Sequence, residues 1–356
     1  MKRRSRHKRF NGFLLKAAAA AGLLSCSSVS DAQATQASLL FGRNLVRVDG
    51  QRRLNLVCVG DGAPVVVFLQ GAGSHMHDWS RVQPAISQVT RTCFYDRPGY
   101  GFSDPPVEPM TLKSVARDLR ALLRAAGVPP PYVLVGHSVG GFYATYFTDV
   151  YRTDVAGLVL VDPAFSGVYD FPRSPADEVA FGDLVAKTFA QSFNCANLAT
   201  RGKLSRNAPA DCFAVQLPKS DEEALFQREL IKPKLYHAEL LEIAATAPIG
   251  SAAPTDAIEE RLAARQFGAM PLIVLTAAKH ASLPGLSDEA NIAFQSNWTR
   301  GHERLARRSS IGSHFMVKDA GHFIQFDQPN IVASSILDVV SRIRSLERRR
   351  KSRHAQ

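Results

Sequence analysis

The sequence offers no apolar run fit to cross a bilayer. The run beside its basic N-terminus, Ala17–Leu24, is eight residues long, against roughly 20 for a spanning helix. It lacks CxxC pairs and His/Cys clusters at zinc spacing, so no structural metal is expected. No internal repeat or low-complexity tract interrupts the body of the chain. With 46% hydrophobic residues, 24 Gly and 20 Pro in 356 positions, collagen-like and wholly disordered chains are excluded, and the length allows a large core. A basic folded face is also missing, despite the formal charge of +11. Residues 1–16 carry seven Lys/Arg and no acid, and residues 342–356 carry seven against the single Glu347. Taking this +7 and +6 from +11 leaves −2 for everything between, so nucleic acid is not an expected partner.

What the N-terminus does contain is a positive head from Lys2 to Lys16, the short apolar stretch, and a small-x-small end at Ala32-Gln33-Ala34. These are the three parts of a secretory signal peptide over residues 1–34, and they imply an exported, periplasmic or secreted bacterial protein. The other reading is a disordered basic extension on a cytosolic protein. Leu23-Leu24-Ser25-Cys26 competes as a lipoprotein box that would lipidate Cys26, but Leu two places before the Cys fits that box poorly. Past residue 34 four cysteines are left, Cys58, Cys93, Cys195 and Cys212. Two bridges among them have three connectivities, and four separate buried thiols are the alternative.

Short β-branched runs then alternate with helical patterns. Asn44–Val48 and Leu54–Val59 read as antiparallel strands around Asp49-Gly50. Val65–Leu69, Thr92–Tyr95, Tyr132–Val135, Leu158–Val161, Leu272–Thr276 and Ser313–Lys318 follow, the apolar ones as strands buried on both faces. Helices are expected over 111–126 and 140–151, with a final one over Asn330–Leu346. This alternation predicts an α/β fold, a mostly parallel sheet covered on both sides. Residues 163–269 break the rhythm with helical stretches at Glu222–Leu230, Tyr236–Ala245 and Ala257–Gln266. A loop of that length without structure is improbable, so the interval reads as a helical cap. The core then comprises 35–162 and 270–346, and 347–356 is a basic tail expected to be disordered.

The chemistry-bearing residues fall at the ends of the predicted strands. Gly136-His137-Ser138-Val139-Gly140 is G-x-S-x-G between a strand and a helix, the pattern of a strained turn that projects a serine hydroxyl. Small residues two before and two after Ser138 avoid collision, and the following helix turns its N–H groups toward developing negative charge. A serine needs a base. His322 follows the last strand on the same sheet edge, whereas His137 reads as packing, and His75, His77 and His280 as site lining or surface loop. The base needs an orienting acid; Asp162 ends the strand before the cap, and Asp288 is the alternative acid. Two N–H donors for an oxyanion are expected from Val139 and, in the loop Gln70-Gly71-Ala72-Gly73, from Ala72.

Taken together, Gln70–Gly73, DRPGYGFSD at 96–104, GHSVGG at 136–141, LVLVDP at 158–163 and AGHFIQFDQP at 320–329 resemble the α/β-hydrolase superfamily across most of residues 40–346. The resemblance implies an eight-stranded sheet with the second strand antiparallel, Ser138 as nucleophile and His322 as base. It sets the second and fourth strands side by side, which implies a Cys58–Cys93 bridge and leaves Cys195 for Cys212. The chain departs from many relatives in having Gln70-Gly71 where they have His-Gly. Its candidate acid follows the sixth strand rather than the seventh.

Serine at 138 disfavours the dehalogenase and epoxide hydrolase chemistry that uses a covalent aspartate. The activity expected is serine-based cleavage of a small-molecule carboxylic ester, without a cofactor, in the manner of a carboxylesterase. Phe165, Tyr169, Phe171, Phe181, Phe189 and Phe193 of the cap could line an apolar pocket or simply pack the cap. An amidase or aminopeptidase with the same triad, or a binding protein on the hydrolase scaffold, are the other readings. The basic tail and a lipidated Cys26 are two routes to peripheral membrane contact.

Overall fold

The computed structural model describes residues 42–204, 212, 232–248 and 253–354. The signal peptide expected over 1–34, Cys26 and the helix expected at Glu222–Leu230 lie outside them. Eight strands form one sheet: β1 (Leu45–Arg47), β2 (Arg53–Val59), β3 (Val65–Leu69), β4 (Thr92–Tyr95), β5 (Tyr132–His137), β6 (Val155–Val161), β7 (Leu272–Ala277) and β8 (Ser313–Val317). Their spatial order is β1-β2-β4-β3-β5-β6-β7-β8. β2 runs antiparallel to β1 and β4, and the remaining pairs are parallel. Cys58 faces Cys93 across the β2–β4 ladder, and the two are joined as a disulfide.

The unbroken apolar strands are explained by burial on both faces. Val66, Phe68, Val133, Val135, Val159 and Val161 pack under Val332, Ile336, Val339, Val340 and Ile343. Those five lie on one stripe of the last helix, α9 (Pro329–His354). Val65, Val67, Leu69, Leu134, Leu158 and Leu160 point the other way, toward α2 (Leu112–Ala125) and α3 (Val139–Val150). A short helix, α1 (Gln83–Ser87), precedes β4.

Two helices arise where none was expected, α4 (Pro175–Thr200) in the cap and α7 (Asp288–Ala306) after β7. α4 starts on the side chain of Ser174, which accepts the Asp177 N–H. Its Cys195 is bridged to Cys212. Of two further cap helices, α5 (Pro233–Thr246) encloses the stretch expected at 236–245, whereas α6 (Thr255–Ala263) begins two residues before the one expected at 257–266 and ends three residues short of it. The tail is a correction: α9 continues to His354 rather than ending at Leu346 before a disordered segment. Arg, Lys and Glu are strong helix formers, and basic residues at a helix C-terminus complement its dipole, so composition alone misleads there.

The cap is fastened to the core at the N-terminus of α2, whose first N–H groups have no partner within the helix. Asp256 of α6 accepts the Leu112 N–H at 2.9 Å, and Glu259 accepts the Lys113 N–H at 2.8 Å. Asp256 is 1% exposed, and burial, with a smaller push from Glu259 and Glu242, raises its carboxyl to about 7. Between the ordinary Asp range and that value the folded chain holds a proton the unfolded chain would release. Stability therefore falls as pH rises through this window. Asp256→Asn is expected to flatten the slope and stabilise the protein at alkaline pH by up to roughly 4 kcal/mol. Urea melts of both proteins on either side of the window test this, and an equal slope in the two would refute it.

Candidate active site

Ser138 joins β5 to α3 at φ 53 and ψ −125, a conformation costing about 1–3 kcal/mol for a residue with a side chain. The turn is tight enough to require glycine on both sides. A Cβ on Gly136 would lie 2.4 Å from the Gly140 carbonyl oxygen, and one on Gly140 would lie 2.3 Å from that of Leu69. The turn is tied to its surroundings through the backbone. The Ser138 N–H donates to the Val161 carbonyl, and the Ser138 carbonyl accepts from Gly141 and Ala164.

Asp162 lies at the end of β6, also with positive φ at 44, and is fully buried. His322 is carried by the loop between β8 and α8 (Ile324–Asp327). The Nδ1–H of His322 donates to Asp162 Oδ2 at 2.7 Å, which leaves Nε2 with its lone pair. The other carboxylate oxygen accepts from the Trp298 indole and from the Ala277 N–H, both at 3.0 Å. Burial alone would raise this carboxyl. The hydrogen bond and charge of His322, aided by His302 and Ala277, outweigh burial and hold it below the usual carboxylate range. Asp288, the alternative acid, is exposed in the first turn of α7, where the helix dipole accounts for it.

His137 donates from Nε2 to the His322 carbonyl at 2.9 Å, and the two rings sit 4.7 Å apart. Burial, reinforced by His322, lowers His137 to about 3, so it is a neutral support for the loop that carries His322. His75 and His77 are buried and do not line the cavity described below, so neither of the roles considered for them holds. His280 is half-buried, with its ring 6.3 Å from that of Trp298.

Trp298 and His302 are site residues that the sequence did not disclose. Both lie on α7, whose inner face is built mostly from Ala290, Asn291, Asn297, Gly301, Ala306 and these two rings, with Leu305 as its one large aliphatic residue. His302 donates from Nε2 to the Pro163 carbonyl at 2.8 Å and accepts from the Thr276 hydroxyl at Nδ1. Burial lowers it to about 4, so it stays neutral beside Asp162.

Ser138, Val139 and Ala72 open onto a cavity of about 1050 Å³ roofed by the cap. Phe142, Phe165, Val168, Tyr169, Phe181, Val185, Phe189, Phe294 and Trp298 line it, with Arg173, Glu178 and Arg261 among its few charged residues. Phe171 instead packs edge-on to Phe181, and Phe193 is 61% exposed. Among the described residues no group of three His, Cys, Asp or Glu could hold a metal ion.

A family model for the alpha/beta hydrolase fold matches residues 64–211. The chain is 36% identical over 143 residues to "Probable transporter efuK" of Hormonema carpetanum, covering 39% of this chain and 19% of that protein. It is 23% identical over 282 residues to "Uncharacterized protein YqjL" of Bacillus subtilis (strain 168), covering 79% and 85%. The chain thus spans about a fifth of the first relative's length and most of the second's. Among solved structures, a haloalkane dehalogenase DbeA-M1 loop variant from Bradyrhizobium elkanii gives a TM-score of 0.62 at 18% identity, over 86% of this chain and 98% of that one. A thermophilic esterase from Thermogutta terrifontis gives 0.55 at 20% identity, over 85% and 98%. At such identities the structural likeness establishes the fold alone.

Proposed function

We propose that this chain, which has the α/β-hydrolase fold, is an exported serine hydrolase acting on carboxylic esters with an apolar acyl or alcohol group. The observation that carries this is the strained Ser138 on the floor of a large apolar cavity, with the His322–Asp162 pair held 2.7 Å apart on the same edge of the sheet. His322 Nε2 takes the Ser138 proton as the hydroxyl oxygen attacks the ester carbonyl. The N–H groups of Ala72 and Val139 receive the oxyanion, and Asp162 stabilises the imidazolium. Collapse expels the alcohol with the proton returned from His322. A water activated by the same nitrogen then releases the acid from Ser138. A nucleophilic carboxylate is absent at position 138, which argues against the route through a covalent aspartyl ester. Export rests on the sequence of residues 1–34 and on two disulfides, which suit an oxidising compartment.

A fluorophosphonate probe with the full mature chain tests this, beside p-nitrophenyl esters and the matching anilides. Labelling at Ser138 with ester turnover is the expected result. Faster anilide cleavage would move the assignment to an amidase, and a folded protein that neither labels nor turns over would end the hydrolase assignment. The cavity adds a second expectation. Each acyl methylene buried is worth about 0.8 kcal/mol, so kcat/KM should rise roughly fourfold per added methylene from acetate upward until the cavity is filled. A flat series would show that the aromatic residues merely pack the cap.

A further inference from the structure

Arg97 is buried to 0% exposure behind the loop that supplies Ala72, and it belongs to none of the groups invoked above. Its guanidinium donates from Nη1 to the Gln70 carbonyl at 2.6 Å and from Nη2 to the Gly71 carbonyl at 2.7 Å. The second contact matters most. The Gly71 carbonyl and the Ala72 N–H belong to one planar trans peptide and point in opposite directions. A cation that fixes the carbonyl therefore fixes where the N–H is aimed, and polarises it as a donor. The loop is close to the nucleophile, since a Cβ on Gly71 would lie 3.2 Å from Ser138 Cβ.

Arg97 is itself held from the cap. Glu242 on α5, 1% exposed, accepts from Arg97 Nε at 2.7 Å and from Nη2 at 3.3 Å. Tyr100 and Tyr143 also donate their hydroxyls to Glu242. The Tyr100 hydroxyl accepts in turn from the Gly73 N–H at 3.3 Å. The core leaves room for this helix at Gly99, where a Cβ would lie 2.5 Å from that of Ala238 on α5. Only a planar fork reaches two successive carbonyls and a carboxylate at once, which a lysine ammonium cannot reproduce.

We propose that Arg97 and Glu242 are positioning residues for the oxyanion site, through which docking of the cap sets the aim of the Ala72 N–H. This rests on the ester-hydrolase assignment of Ser138 and Ala72. It also accounts for Gln70 in a loop where many relatives have His. The Gln70 side chain is turned away to the Tyr95 carbonyl at 2.7 Å, and the loop is aligned by a cation behind it instead.

The test compares the full-length wild type with Glu242→Gln, with the charge-free double variant Arg97→Met/Glu242→Leu, and with Tyr100→Phe. Removing one member of a buried pair strands a charge, whereas removing both is often tolerated. Tyr100→Phe changes no charge and remains informative should the others not fold. Circular dichroism and melting temperature report folding. kcat and KM are read on p-nitrophenyl butyrate. The inhibition constant of butylboronic acid, which becomes tetrahedral on Ser138, is read against that of planar butyrate.

Losing one oxyanion donor costs roughly 10²–10³-fold in kcat, so a misaimed one should cost about 10–100-fold in the charge variants and less in Tyr100→Phe. KM and butyrate binding should stay within about threefold, while boronate binding weakens in step with kcat/KM. Folded variants with wild-type kcat and boronate binding would overturn the proposal. So would equal loss of butyrate and boronate binding, the mark of a collapsed cap. A wild type inert to probe and ester would instead overturn the ester-hydrolase assignment, and this proposal with it, before any variant is made.

Discussion

Ser138→Ala is expected to lower ester turnover by on the order of 10⁴–10⁶-fold and to abolish fluorophosphonate labelling, with the fold intact. Among the described residues that line the cavity, Ser138 is the only serine. The residual rate would be that of substrate held against the Ala72 and Val139 N–H groups with water as nucleophile. The same position offers a counter-check on strain. Because Ser138 sits at φ 53, Ser138→Gly should be as inactive yet about 1 kcal/mol more stable, since glycine enters this region freely. Thermal melts beside labelling separate the two effects. An alanine variant that retained turnover would place the nucleophile elsewhere.

Asp162→Asn should cost about 10⁴-fold in kcat, with little change in KM. In the wild type the carboxylate accepts from His322 Nδ1, Trp298 and Ala277, so all its partners are donors. An asparagine keeps one acceptor for Trp298 and Ala277 and turns its amide toward His322. The imidazole must then carry its proton on Nε2, where it can no longer act as base. Asp288→Asn, in the exposed first turn of α7, should stay within about twofold of wild type. If instead Asp288→Asn collapsed turnover and Asp162→Asn did not, the acid would be misassigned. The lowered pKa of Asp162 adds a pH signature. Its carboxylate contributes stability at neutral pH that is lost only as pH falls through a value below the usual Asp range, and the Asn variant should lack that acid-side loss.

The strands, the elbow and the chain order of Ser138, Asp162 and His322 were legible because each is written locally. An apolar run of four to six residues, a glycine two places either side of a serine, or a histidine after the last strand needs only its neighbours to be recognised. α7 was not legible for the same reason. Its buried positions recur at helical spacing but are filled mostly by Ala, Asn, Gly, Trp and His, with Leu305 alone as a large aliphatic, while Ile292 on the same helix is 66% exposed, so the apolar periodicity is too weak to mark a helix. α4 escaped likewise, because a helix spanning a cap buries little of itself and leaves Val179 and Phe193 in solvent.

By itself, then, the sequence determined the α/β class, the cap's place after β6, and which serine and histidine stand on the same sheet edge. That Asp162 rather than Asp288 meets His322 was left to the tertiary structure, because the contact depends on how far a loop reaches across the sheet. The same holds for the Trp298 indole on Asp162 and for the Arg97–Glu242 bridge, whose partners lie 136 and 145 residues apart. Hydrogen bonds of that separation leave no local pattern. They exist only once burial has removed water as the competing partner and the packed elements have fixed which donor faces which acceptor.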